Sequence, residues 1–286
     1  MKEKTQAVLF IILSAFSFSL MQAMVRLSAS GIGTMQQVFF RNSISLLVAA
    51  YLIKKEGLRF FGPKEYQPAL LARSLFGFLG MILLFYASAH ASQGDVSVLN
   101  RTNILWVCLF AALILKERIS KEQIPMIALC LVGTVVALRP TFDSSILPLL
   151  SAELSALCCG VAYVMISYCK GHVPSMTVVF YFSLFSTVGA GILMIPSWVF
   201  PTPKQWFMLI LIGLFGSLGQ IFITNAYQKA PAAEVSIYDY SGIIFSALIG
   251  TLLLHERLSA STVIGALLIT AAGVLSYRSG RRKTGA

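Results

Sequence analysis

The sequence predicts an all-α integral membrane protein, with ten transmembrane helices arranged as two inverted five-helix repeats. Three observations carry this. First, the composition is too apolar for water: 57% of the 286 residues are hydrophobic, 12% are charged, and the mean hydropathy is +0.80. That charged share is about half that of a soluble domain, too little to coat cores of this size. Second, apolar runs of membrane-crossing length recur ten times. Third, one half of the chain recurs in the other in a single register. A soluble enzyme, a nucleic-acid binder and a disordered regulator are excluded. The formal net charge of +11 does not restore a nucleic-acid partner, because the cations sit at the ends of apolar runs rather than along one basic face.

A crossing helix needs about 20 mostly apolar residues. Such runs fall at about residues 6–26, 34–53, 68–89, 95–115, 122–139, 146–168, 175–198, 205–227, 234–254 and 260–278. The first follows Lys2 and Lys4 as a signal peptide would. Its apolar stretch is too long for an h-region, so a retained helix is expected. What remains makes loops too short for an extramembrane domain. With the N-terminus inside, fifteen Lys and Arg fall in inner loops and tails, four in outer loops, and Arg41, Arg73 and Arg101 within spans. The positive-inside rule then expects both termini in the cytoplasm.

Residues 96–120 (VSVLNRTNILWVCLFAALILKERIS) lie without a gap over residues 235–259 (VSIYDYSGIIFSALIGTLLLHERLS), and LFGFLG at 75–80 lies over LFGSLG at 214–219 in the same register. From Leu75 to Ser120, 17 of 46 positions are identical at an offset of 139. Shared apolar composition explains matched leucines, but not Gly77/Gly216, Gly80/Gly219, Glu117/Glu256 and Arg118/Arg257 together. A weaker match sets LSA at 13–15 over LSA at 154–156. The expected halves are residues 1–140 and 145–286. With five spans each, the second enters the membrane from the opposite side, which makes an inverted repeat with its binding site near the midplane between the halves.

These features resemble the drug/metabolite transporter superfamily with its EamA-type repeats. The resemblance covers essentially the whole chain. Its most specific element is the turn after the fourth span of each half, Lys116-Glu117-Arg118 and His255-Glu256-Arg257. It implies a substrate carrier in the cytoplasmic membrane, of a kind that commonly exports amino acids or other small metabolites.

The heads of spans four and nine carry the sharpest functional signal. Polar residues interrupt both at matching positions, within residues 98–103 (VLNRTN, with Asn100, Arg101, Thr102 and Asn103) of one and residues 237–242 (IYDYSG, with Tyr238, Asp239, Tyr240 and Ser241) of the other. Paired interruptions in the two halves point to a carrier's binding site. Arg101 sits roughly 9 Å below the start of its helix. An Arg at the centre of a span costs about 2.5–3.5 kcal/mol, so it needs a partner or water. Arg41 and Glu153 lie at a similar depth, and an Arg41–Glu153 bridge serves equally well as a helix tie or as part of a site. Arg73, about five residues from the inner end of span three, reads as an arginine snorkelling to the interface. Gly77-x-x-Gly80 and Gly216-x-x-Gly219 read as close helix packing, and the two Glu-Arg pairs as ties between consecutive helices.

The candidate substrate-binding residues are therefore Arg41, Asn100, Arg101, Asn103, Glu153, Tyr163, Tyr238, Asp239 and Tyr240. The arginines match a carboxylate, the tyrosines supply flat apolar surface, and Asp239 and Glu153 meet an ammonium or neutralise the arginines. A small carboxylate-bearing metabolite, with an amino acid or derivative leading, is the expected substrate. A channel or a membrane-embedded enzyme is the alternative. A channel wants a charge ring, and an enzyme a catalytic cluster; neither pattern is present in the sequence. Proton-linked or exchange transport is expected rather than sodium coupling, with protons as the coupling ion through Asp239 or Glu153; uncoupled diffusion down the substrate's own gradient is the alternative. No cofactor, metal or ATP motif is expected: the five cysteines lie in apolar runs, the three histidines at span ends, and no Gly-x4-Gly-Lys pattern occurs.

Overall fold

The computed structural model describes residues 2–28, 31–90, 96, 99–117, 121, 123–138, 146–254 and 260–284. The first half contains α1 (Lys2–Ser28), α2 (Thr34–Lys55), α3 (Gln67–His90), α4 (Asn103–Ile114) and α5 (Gln123–Leu138). The second contains α6 (Ile146–Tyr168), α7 (Ser175–Met194), α8 (Pro203–Lys229), α9 (Ala232–Val235), α10 (Ser241–Leu254) and α11 (Ala260–Thr284). A 3-10 stretch, Ser236–Tyr240, joins α9 to α10 and makes them one broken span. Every run read from the sequence is mostly helical where it is described.

Among the described residues, six segments are long and apolar enough to cross a membrane, and residues 99–114, 124–136 and 263–272 form shorter apolar helices. α2 is in neither group, and its burial shows why. Gln36, Gln37, Arg41, Asn42 and Ser45 are all buried, whereas Leu47 and Tyr51 are largely exposed. This helix is polar toward the protein and apolar toward the outside, the reverse of a helix in a soluble protein. Polar residues placed inward in a span mark a functional interior.

The packing follows the repeat. α1 packs on α8 as α6 packs on α3, α4 lies on α6 as α10 lies on α1, and α2 meets α7 while α5 meets α11. These are pairs that a two-fold relation exchanges or maps onto themselves. Two hydrogen bonds obey the same relation: the Ser14 hydroxyl donates to the Gly219 carbonyl at 2.8 Å, and the Ser155 hydroxyl to the Gly80 carbonyl at 2.7 Å. The second glycine of each pair therefore does what the sequence suggests. It bares a carbonyl and brings the helices close; a Cβ on Gly80 would meet Cys158 at 3.1 Å, and one on Gly219 the Phe18 ring at 2.7 Å.

The turn after α4 corrects the expectation of a tie between consecutive helices. Lys116 adopts a left-handed φ of 55°, and the Glu117 amide donates back to the Ala111 carbonyl at 3.1 Å. This closure turns the Glu117 side chain into the other half, where its carboxylate accepts from the amides of Ala232 and Ala233 at 3.1 and 3.2 Å. Those amides open the broken ninth span, which lacks a side-chain cap of its own. Lys4 pairs with Glu234 beside it, at 2.6 Å. The counterpart turn at Glu256 lies outside the described residues. Glu117→Gln keeps one acceptor but removes the charge, so the expected loss is about 1–2 kcal/mol. A thermal-unfolding midpoint unchanged from wild type in that variant contradicts the capping role.

Candidate functional site

Three polar clusters occupy the described interior. α2 and α3 run in opposite directions. Arg41 is seven residues into α2 and Arg73 six residues into α3, so each lies roughly 10 Å inside a different face. In a core about 30 Å thick, their side chains converge near the middle. The meeting point is Phe182 of α7: the Arg73 guanidinium lies 4.1 Å from its ring centroid and that of Arg41 lies 5.7 Å away. Arg41 is also 5.7 Å from the Phe18 ring. It donates to Asn42 Oδ1 at 3.0 Å and to Gln220 Oε1 at 3.5 Å.

Arg73 is 2% exposed and Arg41 8%. The snorkelling expected of Arg73 is thus corrected: its side chain turns along α3 into the bundle instead of toward the interface. Neither Nε has a hydrogen-bond partner, and no carboxylate pairs with either guanidinium among the described residues. The Arg41–Glu153 bridge is not formed.

The first glycine of each pair explains how two such large side chains fit. A Cβ on Gly77 would collide with Arg73 and come within 2.9 Å of Phe182; a Cβ on Gly216 would lie 2.7 Å from Arg41 Cγ. Repeat-equivalent glycines therefore cradle one arginine each, a role beyond helix packing. The offset that sets Ser14 over Ser155 also sets Arg41 over Phe182. Equivalent residues touch only beside the axis that relates them, so this cluster straddles the pseudo-two-fold.

The second cluster joins the broken heads. Arg101 Nη1 donates to Asp239 Oδ2 at 3.3 Å and to the Asp239 carbonyl at 3.2 Å. Gly242 leaves room for this guanidinium, since a Cβ there would stand 2.9 Å from it. Thr102 forms a turn between helical residues 99–101 and α4, and Ser236–Tyr240 is 3-10, so both spans break where the polar residues interrupt them. Tyr238 and Tyr240 are buried in this break, the Tyr240 hydroxyl without a hydrogen-bond partner. Asn103 is buried with its Oδ1 unpartnered, and Asn100 is half-buried.

In the third cluster Glu153 accepts from the Thr102 hydroxyl at 2.9 Å and from Trp106 Nε1 at 2.7 Å. It ties α6 to α4 through neutral donors. Tyr163 stacks on Tyr227, with centroids 5.0 Å apart, and stands within electrostatic reach of Arg41, Arg73 and Asp239. Reading the sequence alone missed Arg73, Phe18, Phe182 and Gln220. The available signal was the glycine one turn beyond Arg73, which leaves a long side chain room to lie along its own helix.

Two matches to one family model cover residues 5–139 and 146–278, nearly the whole chain. The chain belongs to the EamA-like transporter family. It is thus a multi-pass membrane protein and a secondary transporter rather than an enzyme. Among relatives of this EamA chain, the pseudopaline exporter of Pseudomonas aeruginosa is 32% identical over 95% of the chain and 96% of its own length. The riboflavin transporter of Brucella anthropi is 26% identical over 89% and 92%. Solute carrier family 35 member G1 of Homo sapiens is 26% identical over 93% of this chain and 77% of its own. A solved crystal structure superposes with a TM-score of 0.82 over 97% of the chain and 98% of its own, at 16% identity, which shows a shared fold.

Proposed function

We propose that this EamA transporter exports a small carboxylate-bearing metabolite across the cytoplasmic membrane by alternating access. An amino acid or a related compound is the leading class. The observation that carries the reading is the pair of buried arginines at the repeat axis, without a carboxylate partner among the described residues. A guanidinium in a low-dielectric interior is costly unless a counter-charge reaches it, and a bound anion supplies that charge. Arg41 and Arg73 are the central binding groups, Tyr163 and the head residues Asn100, Asn103, Tyr238 and Tyr240 line the path, and residues 1–140 and 145–286 are the bodies that rock. Export is supported by the similarity to the pseudopaline exporter. Cytoplasmic termini are supported by the fifteen-to-four loop bias.

Coupling is to protons or to exchange. Asp239 is the group of choice: when the halves rock and α4 parts from the ninth span, it loses Arg101 and takes a proton in its place. Glu153 is the second candidate. Metabolite profiling of cells with and without the gene identifies the substrate. Flux of that compound in proteoliposomes is then expected to saturate, to follow an imposed pH gradient and to lose that dependence in Asp239→Asn. Flux driven by sodium and indifferent to pH refutes the coupling. Flux that does not saturate refutes the carrier in favour of a channel.

A further inference from the structure

We infer that Arg41 and Arg73 form one site for a substrate that carries two anionic groups, a diacid or a larger polyacid, with one guanidinium for each group. The inference rests on the carboxylate-carrier reading above and narrows it. The two cations come from helices that enter from opposite faces and meet at a single ring, Phe182. With the two guanidinium carbons 5.7 and 4.1 Å from one ring centroid, two like charges in a poorly polarisable interior repel one another. Among the described residues their only polar relief is neutral, through Asn42 and Gln220 on Arg41.

The charge balance then decides the ligand. A single carboxylate neutralises one guanidinium and leaves the other buried, desolvated and uncompensated. Two carboxylates on one molecule neutralise both, and each can be gripped by a planar fork of donors. The unpartnered Nε atoms are part of those forks. The fold has built for this occupancy. Repeat-equivalent Gly77 and Gly216 each give up a side chain to lodge an arginine, although the arginines are not themselves repeat-equivalent. Arg41 and Arg73 both lie in the first half, and the second half supplies Phe182 and Gln220 opposite them. The site is therefore asymmetric, with both cations on one side and the apolar and amide groups on the other. The ring of Phe182 and that of Phe18 give the linking carbons an apolar wall.

The test uses the purified full-length protein and two ladders of probes: succinate, glutarate and adipate against butyrate, valerate and hexanoate. Each pair has equal carbon number and differs in whether the second end is a carboxylate. Binding is read by tryptophan fluorescence and by the shift in melting temperature. The best diacid is expected to bind at least tenfold tighter than its monoacid. Arg41→Gln and Arg73→Gln should each bring that ratio close to one. Each variant should also melt a few degrees higher than wild type without ligand, because one of two repelling cations has gone. Arginines that merely brace the helices would give the opposite shift, so lower melting in both variants overturns the inference. Equal affinity for diacid and monoacid at every length overturns it too, and leaves the single-carboxylate reading standing. Binding by neither ladder overturns both readings together.

Discussion

Replacing Arg101 with alanine abolishes transport and destabilises the folded protein by about 3 kcal/mol. Removing one partner of a buried ion pair costs about 3–5 kcal/mol. The lower end applies because the Arg101 side chain is 21% exposed, against 12% for Asp239, and water screens part of the loss. The exposed share also means that Asp239 can relieve itself by taking a proton. The functional loss has a different source. Arg101 holds the broken head of one half against that of the other through both the Asp239 carboxylate and its carbonyl. Without it the two breaks lose their mutual register, and in the proposed alternating-access cycle one closed state loses its latch. The double variant Arg101→Ala with Asp239→Ala should recover most of the stability, because no charge is left unpaired, and none of the transport. Wild-type flux in Arg101→Ala, or a double variant less stable than either single one, contradicts this account.

Gly216→Val reduces substrate affinity by about 10- to 100-fold, and Gly77→Val does the same. The added atoms fall where Arg41 Cγ and the Arg73 guanidinium lie, and Phe182 blocks retreat on the Gly77 side. Overpacking of a close-packed interior costs about 1–3 kcal/mol, and each 1.4 kcal/mol is a factor of about ten in affinity. The arginine must give way, because the helix backbone is held by the Ser14–Gly219 and Ser155–Gly80 hydrogen bonds a turn away. Gly191→Ala is the control. A Cβ there meets the Phe39 ring at 3.4 Å, an ordinary contact, and binding should be unchanged. Equal effects of all three substitutions would show that general helix packing, not the arginine cradle, is at stake.

The spans, the repeat and its inversion were legible because each follows from hydropathy and self-similarity, which act along the chain. The broken heads of spans four and nine were legible for the same reason. What the broken heads touch was not. Arg101 reads as a free cation in one segment and Asp239 as a free anion in another, and their pairing depends on a fold that brings residues 138 positions apart together. Arg73 was misplaced because counting residues from a helix end measures depth along the axis and not direction around it. Its neighbour Gly77 holds the directional information, but only after Phe182 is known to lie opposite. Glu117 was misread for a related reason: a turn motif shows which helices are consecutive, whereas the left-handed Lys116 turns the carboxylate to the other half. α2 carries the most general lesson. Its polar residues lower its apparent fitness to cross a membrane, and they are buried because the interior they face is where an anion is expected to bind.

The central claim is that an anion shuttles through the arginine pair at the repeat axis. Counterflow measures this most directly: proteoliposomes are loaded with the unlabelled carboxylate-bearing substrate, diluted, and given a trace of labelled compound outside. The account predicts rapid accumulation of label that saturates with concentration, is stimulated by internal substrate, and disappears in Arg41→Gln and Arg73→Gln proteins reconstituted at equal density. Undiminished counterflow in both variants, or trans-stimulation by a cationic substrate instead, would contradict it.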